Sequence, residues 1–237
     1  MRTSKRKFDE IRPVSIQTNV NNYAEGSALV KFGNTHVLCT ASLEDRVPAF
    51  LRNQGRGWVT AEYNMLARST HKRINKDSTR PNGRSIEITR LIGRSLRSCI
   101  DPMRLGERQI IVDCDVLQAD GGTRCAAITG GYVALAVAVK KMLRERIIKN
   151  DPLINQISAI SCGIFDGEIV VDLDYSEDSR CHADYNFVLS KNYSLIEMQG
   201  ISEIGEMSFE QLTKMYNLAK DGAKHLFDIQ NEAINNS

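Results

Sequence analysis

Apolar and polar residues alternate with a period of two through the opening of the chain. "VSIQTN" (14–19), "SALVKF" (27–32) and "THVLCTASLE" (35–44) each read as a short strand, and Gly33-Asn34 is a hairpin turn signal, so a meander is predicted. Residues 68–83, "RSTHKRINKDSTRPNG", are almost free of apolar side chains and read as an exposed loop. The period then changes to 3.6. Ile88, Leu91, Ile92, Leu96 and Cys99 share one face with Arg90, Arg94 and Arg97 off it, which predicts a helix over about 85–99.

Alternation returns in "RQIIVDCDVLQ" (108–118), with Ile110, Val112, Cys114 and Val116 on one face and Ile111, Asp113, Asp115 and Leu117 on the other. "QADGGTRCAAITGG" (118–131) follows directly. Beyond it Ile128, Tyr132, Leu135, Ala136, Val139 and Leu143 form the stripe of a buried helix ending near "KKMLRERIIK". "NDP" (150–152) breaks the chain. A second series begins with the hairpin "ISAISCGIF", Asp166-Gly167, "EIVVDLDY" (168–175). A strand pair, "YNFVLS" and "SLIEMQG", and a helix over about 208–230 complete it, with Phe209, Leu212, Met215, Tyr216 and Leu226 as its apolar positions. Each series runs from strands to a helix, which suggests an internal duplication with halves at 10–145 and 153–230.

A chain of 237 residues that is 42% hydrophobic can bury a substantial core as one large domain or two joined halves. No apolar run of the ~18 residues that span a bilayer is expected, and the start "MRTSKRKFDEIRP" lacks an apolar signal core, so the expected location is cytoplasmic, away from membranes. Cys39, Cys99, Cys114, Cys125, Cys162 and Cys181 form no C-x-x-C pair, the pattern of buried thiols rather than disulfides or a zinc site. The net charge of +2 conceals an asymmetry: residues 1–150 carry 26 Lys+Arg against 14 Asp+Glu, and residues 151–237 carry 5 against 15. A polyanion on the basic side and a metal or complementary subunit on the acidic side would answer it.

Candidate chemistry gathers in three places. Gly121-Gly122-Thr123-Arg124, between a strand and a helix start, offers free backbone N–H groups, the positive end of a helix dipole, a hydroxyl and a guanidinium fork suited to phosphate; the plain alternative is a tight turn beside a solvated arginine. No Walker lysine and no dinucleotide glycine spacing accompanies it. Arg68 to Arg97 hold nine Lys+Arg against two acids, either a phosphodiester-binding surface or a solvated loop and helix face. "DLDYSEDSRCHADYN" gathers Asp172, Asp174, Glu177, Asp178 and Asp184 just past a predicted strand, hard oxygen ligands that would suit Mg²⁺ or Mn²⁺, although acidic turns are common. His182 lies inside that stretch, and His36, His71 and His225 are dispersed.

Taken together these stretches resemble the ribonuclease PH family. "DEIRPVSI", "AEGSALVKFGNTHVLCTAS", "GWVTAEYNMLARSTHKR", "GRSIEITRLIGRSLR", "LGERQIIVDCDVLQADGGTRCAAITGGYVAL", "VDLDYSEDS" and "EMQGISE" occur in the family's order over nearly the whole chain. The resemblance implies an α/β (α+β) ribonuclease PH fold of two similar strand-and-helix halves in one compact domain, like the second domain of ribosomal protein S5. It implies a phosphate-dependent exoribonuclease, a nucleotidyltransferase in reverse, that trims tRNA precursors and other RNA 3′ ends with inorganic phosphate as co-substrate. Carried over by motif, Arg84 of "NGRSIEI" with Gly122, Thr123 and Arg124 binds phosphate. Asp178 of "SEDS" and Asp184 of "ADYN" are the catalytic carboxylates and metal ligands for Mg²⁺ or Mn²⁺, and Arg68 and Arg73 lie on the RNA-binding surface. A homohexamer, a trimer of dimers, is also implied. Arg180-Cys181-His182 and "GRS" at 83–85 depart from the usual pattern without removing any of these groups. A catalytically silent RNA-binding ring subunit is the alternative, and a two-metal hydrolytic nuclease would have no use for the "GGTR" anion site.

Overall fold

The computed structural model describes residue 2, residues 4–75 and residues 83–237, so the part of the predicted basic loop at 76–82 lies outside the described residues. The expected meander is present. Strands β1 (Val14–Thr18), β2 (Gly26–Phe32) and β3 (Thr35–Glu44) pair antiparallel in turn, and Gly33 takes the left-handed conformation, φ +54°, at the β2–β3 turn. Strand β4 (Trp58–Met65) is an element the pattern reading above passes over, although Val59, Ala61 and Tyr63 are buried and alternate with more exposed residues. It lies parallel to β5 (Gln109–Gln118) at the sheet edge, in the order β1-β2-β3-β5-β4.

The free edge of β4 is answered by helix α1 (Gly83–Arg97). Thr89 Oγ1 accepts from the Tyr63 N–H at 3.1 Å, and Arg97 Nη1 donates to the Val59 carbonyl at 2.9 Å. These contacts set α1 antiparallel to β4. Ile88, Leu91, Ile92 and Leu96 face inward as the 3.6 period predicts. The helix closes two residues early, where Cys99 N–H bonds the Leu96 carbonyl in a tighter turn. A short helix α2 (Pro102–Leu105), capped by Asp101, returns the chain to β5.

Helix α3 (Thr123–Arg144) packs on β2, β3 and β5 with one side and on β6 (Ile157–Phe165) with the other. Covered on both sides, it is buried continuously from Cys125 to Val139. Contrary to the sequence expectation, its mean hydropathy of 1.4 gives it the composition of a membrane span, but 83% of that window is buried inside the protein, as a core helix must be. Gly130 permits the close packing: a Cβ there would lie 2.6 Å from Val30 Cγ1 and 3.0 Å from Cys39 Sγ. All six cysteines are free and buried, as the sequence predicts.

The second sheet has the order β7-β6-β8-β9, with β7 (Glu168–Val171), β8 (Ala183–Ser190) and β9 (Leu195–Ser202). The predicted strand through 175 stops at Val171, because Asp172 turns into φ +54° and Asp174 caps the short helix α4 (Tyr175–Asp178). Helix α5 (Phe209–Asn235) packs on β6, β7 and β1, so the last helix of the second half also lies against the first sheet. Met215 and Leu226 are fully buried, whereas Phe209, read as an apolar core position, is 82% exposed at the helix start.

Candidate active site

Because β4 and β5 are parallel, their C-terminal ends open at the same end of the first sheet, the end where crevices for ligands form in such sheets. The chain leaving β4 leads to α1, which begins beside Arg84, and the turn leaving β5 leads into α3, which begins at Thr123-Arg124. The two arginines converge there, since both act electrostatically on Tyr63 and on Asp178 and Asp184.

Gly121 and Gly122 make the turn with φ of +74° and +65°. The turn is held from beneath: Thr35 Oγ1 accepts from the Asp120 N–H at 2.9 Å and donates to the Gly121 carbonyl at 2.6 Å. Bare backbone is needed here for a reason internal to the fold. A Cβ on Gly121 would lie 2.6 Å from the Leu173 carbonyl oxygen and 2.8 Å from the Tyr175 nitrogen, and one on Gly122 would lie 2.9 Å from Arg12 Nη2. The N-cap residue of α3, Gly122, has no side chain to cap it, and a first internal bond runs from the Ala126 N–H to the Gly122 carbonyl. The N–H groups of its first turn are therefore presented outward next to Arg124.

The acidic stretch does not act as one cluster, which corrects the reading of five carboxylates as a single metal-binding group. Asp172, Asp174 and Glu177 are taken up by arginines from the start of the chain. Arg12 forks onto Asp172 at 2.7 and 2.9 Å, Arg2 forks onto Glu177 at 2.8 Å on both oxygens, and Arg6 reaches all three acids at 3.3 to 3.5 Å. The carboxyls of Asp172 and Asp174 nevertheless lie below the usual range: burial pushes them up, and Arg12 for Asp172, or hydrogen bonds from Ser176 and the Glu177 N–H for Asp174, more than offset it.

None of these arginine bonds goes to Asp178 or Asp184. Asp178 closes α4, and Asp184 sits on β8 between Gly163 of β6 and Ile201 of β9. Burial raises the Asp178 pKa, and the Asp184 charge raises it further against the pull of Arg84 and Arg124; burial likewise raises Asp184, with Glu203 adding to it.

Two further residues complete the picture. Tyr63 donates its phenolic proton to Thr123 Oγ1 at 2.9 Å, and burial lifts its pKa. The motif reading missed it; the alternation along 58–65 would have turned it inward toward the glycine turn. The basic loop leaves β4 beside the end of β5, where the Ala119 N–H bonds the Ser69 carbonyl. It carries Arg68, which donates to the His71 carbonyl at 2.7 Å, and Arg73, both exposed, and His71 lies 6.2 Å from the ring of Tyr175 in α4. In the departing stretch, Arg180 stacks over Phe165 and bonds the Ser176 carbonyl, His182 is exposed, and the Cys181 thiol donates to the Asp178 carbonyl. Burial and the acids around it push that thiol up to about 12.

The sequence matches domain 1 of the 3′ exoribonuclease family over residues 10–141 and domain 2 over residues 155–222. The chain belongs to the ribonuclease PH family. Ribonuclease PH of Methylocella silvestris is 56% identical over 99% of this chain and all of the relative, and that of Roseobacter denitrificans is 53% identical over 98% and 99%. Among solved structures, rice Rrp46 superposes with a TM-score of 0.79 at 20% identity, covering 98% of this chain and all of that one. The Archaeoglobus fulgidus exosome with RNA bound to its active site gives 0.82 at 22%, covering 96% and 91%. These establish the ribonuclease PH fold.

The donor set fits the cation that the family resemblance implies. Among the described residues no three His, Cys, Asp or Glu side chains form a metal-binding group. Asp178 and Asp184 supply two hard carboxylates, which suits Mg²⁺ or Mn²⁺ completed by water and phosphate oxygens rather than an all-protein cage. The neutral Cys181 thiol is no competitor.

Proposed function

We propose that the protein is a phosphorolytic 3′-to-5′ exoribonuclease that trims tRNA precursors. Inorganic phosphate is the nucleophile, held by Arg84, Arg124, Thr123 and the N–H groups at Gly122 and the start of α3, and Asp178 and Asp184 hold Mg²⁺ or Mn²⁺. The observation that carries this reading is the start of α3, whose N-cap residue Gly122 has no side chain, with Arg124 and Arg84 acting on two carboxylates from the other half, Asp178 and Asp184.

The chemistry follows from that juxtaposition. An oxygen of inorganic phosphate bonds to the phosphorus of the last nucleotide as the bond to the preceding O3′ breaks, releasing a nucleoside diphosphate. Two anions must meet for this to happen. Arg84, Arg124 and the α3 dipole lower the cost of holding the incoming phosphate, and they orient it toward the scissile bond. A bound cation would supply charge neutralisation on the transferring phosphoryl group. The phosphoanhydride bond of the nucleoside diphosphate replaces the phosphodiester bond that breaks, so group-transfer potential is retained and nucleotide addition from diphosphates is the expected reverse activity. Arg68 and Arg73 are exposed on the loop that the Ser69 carbonyl ties to Ala119, and there they would draw in the RNA backbone.

Assembly into a homohexamer, a trimer of dimers, is part of the proposal. Leu195 and Ile201 on the edge strand β9, with Ile204 just beyond it, are 47 to 62% exposed. Such apolar side chains on an unpaired edge call for a covering partner. Sizing of the purified protein tests this, and a monomer would refute it.

The decisive assay incubates the protein with tRNA bearing a 3′ extension, phosphate and Mg²⁺. Nucleoside diphosphates are the expected products; monophosphates formed without phosphate would overturn the proposal. Turnover by Arg124→Ala or Asp184→Ala variants equal to that of an active parent would refute this mechanism, and a parent that retains RNA without any turnover would be the silent ring subunit.

A further inference from the structure

We propose that Arg12 is a positioning residue that sets the gap between the phosphate-binding turn and the catalytic carboxylates, an inference that rests on the phosphorolytic reading above. Its side chain is 6% exposed and touches both half-sites at once. On one side Nη1 donates to the Asp120 carbonyl and Nη2 reaches the Gly121 carbonyl at 3.4 Å, immediately before Arg124. On the other side Nε and Nη2 fork onto the Asp172 carboxylate, which also accepts the Arg12 backbone N–H at 2.7 Å.

Asp172 in turn references Asp178. It sits at φ +54° where β7 ends, and the loop from it into α4 is braced by the Asp174–Glu177 capping box. Arg2 closes the brace, forking onto Glu177 while Nη2 donates to the Asp172 carbonyl at 3.0 Å. The stretch between Asp172 and Asp178 thus moves as a block. The other polar bridge to the glycine turn is long, from the Tyr175 N–H to Asp120 Oδ1 at 3.4 Å. The guanidinium of Arg12 is the stiff spacer between the halves, and its planar fork is a shape that lysine cannot reproduce.

If the spacer sets the gap, its loss leaves each half-site able to bind its own ligand while the two ligands no longer meet in line. Misplacement of about 1 Å costs on the order of 10²-fold in rate. Two variants test it. Arg12→Lys keeps the charge and loses the fork, and Arg12→Met combined with Asp172→Asn removes both buried charges, so no carboxylate is stranded and asparagine tolerates the left-handed backbone. The readouts are kcat for phosphorolysis of extended tRNA, phosphate affinity by calorimetry, Mn²⁺ affinity of the RNA-free protein by electron paramagnetic resonance, and Tm. The expected result is a kcat lower by roughly 10- to 100-fold, with both affinities within about threefold of the parent. A double variant whose kcat stays within about twofold of the parent while only Tm falls would overturn the proposal, because Arg12 would then serve stability alone. The parent separates the two claims: absence of nucleoside diphosphates from the parent itself refutes the phosphorolytic reading, whatever the variants do.

Discussion

At Gly121 the backbones of the two halves approach closely, so alanine at that position measures how rigidly the candidate site is set. The added Cβ would lie 2.6 Å from the Leu173 carbonyl oxygen, 2.7 Å from the Asp174 carbonyl carbon and 2.8 Å from the Tyr175 nitrogen, all backbone atoms without a side chain's freedom to swing away. Two costs add. The left-handed backbone, φ +74°, costs a non-glycine residue about 1–2 kcal/mol, and the forced contact costs about 1–3 kcal/mol as overpacking. The sum of roughly 2–5 kcal/mol is a large part of the ~5–15 kcal/mol available to a domain. Relief requires the 173–175 backbone to retreat by about 0.8 Å, and that backbone runs straight into α4 and Asp178. A displacement near 1 Å lowers kcat on the order of 10²-fold. Gly167→Ala is the control, since Gly167 has φ +80° with nothing within 4 Å of the Cβ and therefore pays the first cost alone. Urea unfolding should place Gly121→Ala about 1–3 kcal/mol below Gly167→Ala, and phosphorolysis should be slowed in the first variant only. Equal stabilities and equal kcat would show that the junction yields freely, and the positional argument would fall.

Other outcomes follow from the site's electrostatics and hydrogen bonds. Arg124→Ala should lower kcat/KM for phosphate by roughly 10²–10³-fold while RNA retention in a gel-shift assay is kept; parent-like turnover would refute the anion site. Asp178 has a raised pKa in the fold, so its contribution to stability is present below the unfolded value of about 3.9 and is lost as pH rises through the higher folded value. At neutral pH its charge therefore opposes folding, and Asp178→Asn should raise Tm while abolishing metal-dependent turnover; an unchanged or lower Tm at pH 7 would contradict the assignment. Mg²⁺ should raise the Tm of the parent, by about 2.7 kcal/mol of stabilisation at 100 times Kd, and should leave that of Asp178→Asn in place. Tyr63→Phe removes the bond to Thr123 and should cost about 0.5–1.5 kcal/mol, seen as a lower urea midpoint; an unchanged midpoint would show that the bond contributes nothing.

Periodicity carried most of the fold because most elements have one buried face. The 3.6 stripe of α1 and the alternation of β5 report burial directly, and both faces of β5 came out as expected. Strand β4 was passed over because its polar positions, Thr60, Glu62 and Asn64, break the apolar content that draws notice, and its parallel pairing to β5 is a long-range choice that no local pattern encodes. The end of β7 is hidden for a related reason. "EIVVDLDY" alternates well enough to continue, and the arginines that hold Asp172 in the turn, Arg12 with Arg2 and Arg6, lie 160 residues or more away in sequence. At the site, the glycine turn and the acidic motif were legible because each is contiguous. Tyr63 and Arg12 were not, because they act across the fold on residues remote in sequence.

Charge segregation along the chain has a resolution that the sequence did not suggest. A basic first part and an acidic second part invite a search for an external partner on each side, yet Arg2, Arg6 and Arg12 already meet Asp172, Asp174 and Glu177, with no side chain of the six more than 12% exposed. Taking such charges out of water costs several kcal/mol per ion, so a cluster of this kind is a poor source of net stability. Its contribution is fixed geometry: three arginines from the start of the chain hold the loop of the second half in one place. Neutralising three acids also decides which carboxylates remain for chemistry. Asp178 and Asp184 stand outside the reach of these arginines, raised by burial and answered at a distance by the two arginines of the anion turn. That is the balance a phosphoryl-transfer site requires, because a carboxylate gripped by guanidinium has its charge compensated and fewer lone pairs left to offer a cation. The count of acidic residues in "DLDYSEDSRCHADYN" therefore overstates the carboxylates left to meet a cation, and the arginines at the start of the chain do the subtraction.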